Sequence, residues 1–251
     1  MNNVITQEDI EVGLRELGLQ RGDAVEVHSS LSSFGWVEGG ATTVIEALMS
    51  VVGKEGALVM SAYPVSPPVP LTEEEEARGI TWKVRILDPD SDEKTGLGAV
   101  ADTFRKRPDV ICSTSFFRGC AWGHDAHLHC QNYKHLLDID GWALLLGVDI
   151  GRCSSMHLAE SVPIPKEITR YFNVPDDILR DYPQDRWSIG YGSTPGNPWL
   201  KVWEEALRRG LVRIRTIGQS ECKLFKAKTI VAIYEEMRRT DPFGMFGLKA
   251  P

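Results

Sequence analysis

Apolar positions recur at helical spacing over residues 6–17, where Ile10, Leu14 and Leu17 share a face and Thr6 with Asp9 has the form of a capping box. Residues 24–28 alternate with the period of a strand. Residues 56–61 and 144–146 are continuous apolar runs, the mark of strands covered on both faces. A helix over 44–52, entered through Thr42 and Thr43, joins the first two strands into a strand–helix–strand unit, which points to parallel pairing. Further along, the pattern predicts a helix over 97–107 stopped by Pro108, a short strand over 110–112 and an exposed strand over 168–174. It then predicts a helix over 198–209, a strand over 212–217 and a C-terminal helix over 225–239. The expected fold class is α/β: a single domain, 1–251, with a mixed, mainly parallel central sheet flanked by helices. Residues 63–96 form a long lid or loop excursion whose prolines keep it out of the central sheet. The acids Glu73 to Glu76 within it read as a solvated face.

Composition narrows the class. Hydrophobic residues at 42% and charged residues at 25% are ordinary for a globular protein that folds around its own core. No apolar run approaches the length of a membrane span, and the first residues lack a signal-peptide pattern, so no membrane partner and a cytoplasmic location are expected. A net charge of -7 without a basic block argues against nucleic acid and is compatible with a small cationic partner. The five cysteines include no CxxC pair and fit reduced thiols. A monomer or homodimer is expected.

The candidate chemistry gathers after the apolar run 144–146, which breaks at Gly147 into a small polar loop. Ser154 and Ser155 read as helix caps before Met156-His157-Leu158-Ala159-Glu160, where i,i+3 spacing places His157 and Glu160 on one face. A general base beside a carboxylate and a plain helix-start histidine both fit that pattern. The first strand delivers His28 into Ser29-Ser30-Leu31-Ser32-Ser33-Phe34-Gly35, a Ser/Gly loop ahead of a helix. This geometry suits a phosphorylated cofactor, although it is neither a P-loop nor GxGxxG, and an ordinary strand-to-helix loop fits equally. His124, His127, His129 and His135 cluster near Cys130, but their spacing matches no zinc signature, and no metal is expected.

The order and spacing of several blocks resemble the aminoglycoside 3-N-acetyltransferase family, an α/β family distinct from the GNAT superfamily. The blocks are Gly22-Asp23, Val27-His28-Ser29-Ser30-Leu31, Val37-Glu38-Gly39-Gly40-Ala41 and Asp88-Pro89 followed by Gly96-Leu97-Gly98 and Phe104. They continue with Leu144-Leu145-Leu146-Gly147-Val148, His157-Leu158-Ala159-Glu160 and Gly218-Gln219-Ser220-Glu221-Cys222. The resemblance implies acetyl transfer from acetyl-CoA to the 3-amino group of a 2-deoxystreptamine aminoglycoside. It makes His157 the general base with Glu160 beside it, His28 a second histidine of the site, and Ser29 to Gly35 the coenzyme A loop, with Ser113 also meeting the cofactor. Tyr63, Asp88 and Glu221 are the expected substrate-binding residues. Two departures fall on the acceptor side: Ser115-Phe116 where relatives carry His-Pro, and a shorter segment between Trp122-Gly123 and Gly141-Trp142. They leave a non-antibiotic amine as an alternative acceptor. A Ser/His/Glu hydrolase using Ser29 to Ser33 or Ser154-Ser155 is a second alternative, without a GxSxG elbow. A non-enzymatic binding protein is a third.

Overall fold

The computed structural model describes residues 4–89, 91–114 and 119–251. Its strands are β1 (Ala24–Ser29), β2 (Ala57–Ser61), β3 (Ile80–Arg85), β4 (Ile111–Cys112), β5 (Gly119–Gly123), β6 (Trp142–Leu146), β7 (Trp187–Tyr191), β8 (Arg213–Ile217) and β9 (Ser220–Lys226). Among the described residues, seven of them form one sheet in the order β4-β5-β2-β1-β6-β9-β8, and β3 pairs with β7 in a separate ribbon.

The α/β class and the mixed sheet are as expected, but parallel pairing is confined to the centre. β1 runs parallel to β2 and β6, whereas the β2–β5, β4–β5, β6–β9 and β8–β9 ladders are antiparallel. The physical reason is connection length. The helix Ala41–Val52 crosses between β1 and β2, while two residues, Gly218 and Gln219, suffice to reverse the chain from β8 into β9.

Alternation along the central strands sorts side chains into two cores. Val25 and Val27 of β1 pack with Leu58, Met60, Leu144, Leu146 and the helices Gln7–Leu17 and Ala41–Val52. Ala143 and Leu145 face the other way, toward Met156, Ala159, Val202, Phe225 and Ile230. β6 is therefore buried on both faces, as its apolar run implies. The Thr6–Asp9 capping box forms as predicted. At its rims the sheet ends in β4, only two residues long, and in β8, whose outward residues include Arg213 and Arg215. Arg213 stacks over Trp142, and Arg215 pairs with Glu16.

Three local readings differ. Residues 168–174 are not a strand: Pro165 starts the helix Lys166–Thr169, which tightens into the 3-10 turn Arg170–Phe172. The excursion 63–96 is not only loop, since it holds the helix Glu73–Ala77 and β3. The acidic run is not wholly solvated either. Glu75 is buried against Lys83 and Tyr182, whose contacts hold its carboxyl down at about 2, and Glu75 in turn pushes the Tyr182 phenol up to about 12. Cys120, Cys130, Cys153 and Cys222 are buried thiols. Among the described residues, no helix is long and apolar enough to cross a membrane.

Candidate active site

β6 leaves the sheet through Gly147, whose φ of 67° lies in the left-handed region. A Cβ there would fall 1.8 Å from Ser33 Oγ, so the close crossing of this exit under the turn Leu31–Phe34 requires glycine. Asp149 then accepts from the Gly151 N–H at 2.9 Å, capping the short turn Ile150–Arg152. The following helix, Ser154–Ser161, is 3-10, and Cys153 stands at its N-cap. Ser154 and Ser155 therefore do not cap it: the Asp149 turn has already directed the chain, and both serines lie buried inside the first turn.

The 3-10 form decides what His157 meets. With three residues per turn, positions 154, 157 and 160 eclipse along one edge. His157 Nδ1 lies 2.9 Å from Glu160 Oε2, and the two side chains are 59% and 42% exposed. The imidazole edge rests on Trp199, with ring centroids 5.0 Å apart. Behind the edge, the buried Arg238 donates to the carbonyls of Val162 at 2.7 Å and Glu160 at 3.3 Å, tying off the end of the helix.

His28 occupies a different environment. Its Nε2 lies 2.6 Å from Glu26 Oε1, and both residues project from β1 toward the N-terminal end of the same 3-10 helix. The Ser154 N–H meets His28 Nε2 at 3.2 Å, and the Ser155 N–H donates to Glu26 Oε1 at 3.0 Å. The Ser154 hydroxyl bonds Ser61, which also bonds the Tyr133 hydroxyl. Tyr63 joins this buried network through Ser154 and Ser61; burial pushes its phenol up, and the charge of Glu26 adds to the shift. Glu26 escaped the sequence reading because the alternation over 24–28 marks a strand without marking the acid within it as buried. The signal was available: β1 sits inside a parallel strand–helix–strand unit, where an acid on either face is enclosed.

A groove of about 570 Å³ opens at the ends of β1, β6 and β9, within the size range of small-molecule sites. Its lining includes Ser30, Ser33, Asp149, Arg152, Glu221 and Lys223. Ser33 Oγ donates to the Ser30 carbonyl at 2.6 Å and meets Ser220 Oγ at 2.8 Å, pinning the serine loop to β9. Lys223 Nζ pairs with Glu221 at 2.8 Å. Arg152 is exposed and forms no salt bridge among the described residues.

The predicted site residues thus separate into groups. Ser30, Ser33 and Glu221 meet in the groove. Ser29 ends β1, Leu31 and Ser32 lie in the turn, Phe34 is core, and Gly35 closes the turn. Ser113 follows β4, three places from β1 in the strand order, and is not part of the groove lining. Tyr63 belongs to the His28 network, and Asp88 stands on an exposed turn after β3. The Ser115-Phe116 departure lies outside the described residues. The histidine-rich stretch folds into two short helices, with the His129 and His135 rings 4.6 Å apart. Among the described residues, ligand-type atoms gather within 4.8 Å elsewhere, at Glu26, His28 and Cys153. Ser30 and Ser32 bond each other through their hydroxyls, Ser33 bonds the Ser30 carbonyl and Ser220, and Ser154 bonds Ser61 within the tyrosine network.

With its mixed α/β sheet, a polar groove at the strand ends and an exposed His–Glu pair on the 3-10 helix after β6, this chain is an enzyme of the acyltransferase class. The chain belongs to the aminoglycoside 3-N-acetyltransferase family, whose model matches residues 27–239. It is 35% identical over 191 residues to the SPbeta prophage-derived aminoglycoside N(3')-acetyltransferase-like protein YokD of Bacillus subtilis, covering 66% of this chain and 68% of that one. The solved YokD structure superposes with a TM-score of 0.69 over 96% of each chain. AAC-IIIb, solved in binary complex with CoASH, shares the fold at a TM-score of 0.68 and 20% identity, over 99% of this chain and all of that one. AAC-VIa, solved bound to sisomicin, does so at 0.69 and 19% identity, over 94% and 98%.

Proposed function

We propose that the protein transfers the acetyl group of acetyl-CoA to an amine of a 2-deoxystreptamine aminoglycoside, the 3-amino group, by direct attack with His157 as general base. The observation that carries this reading is the His157–Glu160 pair. With Nδ1 committed to the carboxylate, Nε2 is the basic nitrogen presented to a ligand. An ammonium has no lone pair for attack, so Nε2 first removes a proton from the acceptor. The amine nitrogen then bonds to the thioester carbonyl carbon, the tetrahedral adduct collapses and the C–S bond breaks; the proton held on Nε2 passes to the leaving thiolate, and the nitrogen gives up its second proton to solvent to leave the neutral amide.

The donor chemistry fits the groove. Arg152 and Lys223 offer cations for phosphate, and Ser30 and Ser33 line the same wall. Support also comes from relatives: AAC-IIIb binds CoASH and AAC-VIa binds sisomicin. Glu221 and Asp149 in the groove, with Asp88 and Tyr63 beyond it, are the groups assigned to a cationic acceptor. A cytoplasmic location would supply acetyl-CoA.

The test is release of CoA thiol from acetyl-CoA on addition of an aminoglycoside. Wild-type protein should release thiol and His157→Ala should lose at least about a hundredfold in rate. Wild-type turnover in His157→Ala overturns the assignment of the base. No thiol release with any aminoglycoside overturns the substrate class, and release with other amines replaces it.

A further inference from the structure

Glu26 is fully buried at the centre of the sheet. Its neighbours in register are Val59 on β2 and Ala143 on β6, so the position is apolar by its surroundings. A carboxylate there costs stability unless it is paired. The pairing is incomplete: Oε1 meets the His28 ring and the Ser155 N–H, while Oε2 has no hydrogen-bond partner among the described residues. An acid kept in an apolar place with one oxygen unsatisfied is poorly explained as a stabilising device. Its i,i+2 relation to His28 puts both on one face of β1, beneath the 3-10 edge that carries His157.

We infer that Glu26 is the positioning carboxylate of a second acid–base pair, holding His28 through Nε2 and leaving Nδ1 as the nitrogen that serves acetyl transfer. The inference rests on the function proposed above for the reaction that His28 serves, and not for the pairing itself. One proton lies between Glu26 Oε1 and His28 Nε2, 2.6 Å apart; placed on Nε2, it makes Nδ1 the acceptor, and the Ser154 N–H, 3.2 Å from Nε2, is then a contact and not a bond to that nitrogen. The Ser155 N–H fixes the carboxylate from the N-terminal turn of the 3-10 helix, so the buried pair and the exposed His157–Glu160 pair meet one element. Cys153 brings its thiol within 4.8 Å of both, a set that would also suit a divalent cation. The Ser155 N–H aimed at the carboxylate favours the hydrogen-bonded pair, because it repels a cation.

The experiment compares the full-length wild type with Glu26→Gln and Glu26→Leu by imidazole nitrogen and proton NMR, steady-state kinetics and thermal unfolding. The wild type should show a downfield, exchange-protected His28 Nε2 proton that Glu26→Leu removes. Both variants should lose at least about tenfold in kcat, with the acetyl-CoA KM held within about twofold. Glu26→Leu should unfold no earlier than wild type, so that rate and stability move apart. Wild-type kcat in Glu26→Leu overturns the inference; should Glu26→Leu fold poorly, wild-type kcat in Glu26→Gln does so. One equivalent of zinc in the wild type that is absent from Glu26→Leu replaces the pair by a metal centre. If the wild type transfers no acetyl group, the proposed function fails, while the His28 resonance still decides the pairing.

Discussion

Glu160 Oε2 lies 2.9 Å from His157 Nδ1, one turn apart on the 3-10 helix that carries both. Their exposure sets the worth of the contact. An ion pair open to solvent contributes about 0.2–1 kcal/mol, so Glu160→Gln should lower kcat only about two- to fivefold, with the acetyl-CoA KM unchanged. Steady-state kinetics check this. A loss above a hundredfold would mean that Glu160 acts on the substrate itself.

Arg238 shapes the same edge from behind. Its guanidinium is buried and occupied by two carbonyls at the end of the 3-10 helix and by the Tyr234 hydroxyl at 3.3 Å. Arg238→Met should destabilise the fold by about 2–4 kcal/mol through the orphaned carbonyls. Denaturant unfolding measures that loss. The His157–Glu160 geometry should relax with it, so kcat falls even where the protein stays folded.

The groove cations should act on donor binding and not on the chemical step. Arg152→Ala and Lys223→Ala are each expected to raise the acetyl-CoA KM about tenfold and to leave kcat within about twofold. In wild type the KM should rise with salt, and each substitution should flatten that dependence. A substitution that lowers kcat alone would place the phosphates elsewhere.

The His129 imidazole should make the fold acid-sensitive. Burial, with the neighbouring His135 adding to it, pulls its pKa down from 6.5 to about 4. Between those values the unfolded chain holds a proton that the folded chain does not, so stability rises with pH. It is fully present above pH 6.5 and lost as pH falls toward 4. His129→Leu also removes a buried Nδ1 that has no partner among the described residues and should flatten the slope across this window. Chemical denaturation at a series of pH values reads it directly.

What the sequence made legible follows from how local each signal is. The Thr6–Asp9 box and the β6 run are short-range patterns, and both formed as read. The pairing of His157 with Glu160 needed only their spacing. Residues 168–174 misled because alternation in a short stretch fits a helical turn once Pro165 sets its start. Glu26 was hidden because its burial is decided by β2, β6 and the 3-10 helix, all distant in the chain. The position of Arg238 behind the active edge depends on the C-terminal helix folding back, a long-range contact with no local mark.

The rims of the sheet carry a consequence for the molecule in a crowded solution. β4 is too short to template another strand, and β8 presents guanidinium groups that are already engaged by Trp142 and Glu16. A second molecule approaching either rim would find a two-residue ladder or a row of like charges. The same chain that keeps a long, fully paired ladder at its centre therefore offers no seed for growing that ladder from one molecule into the next.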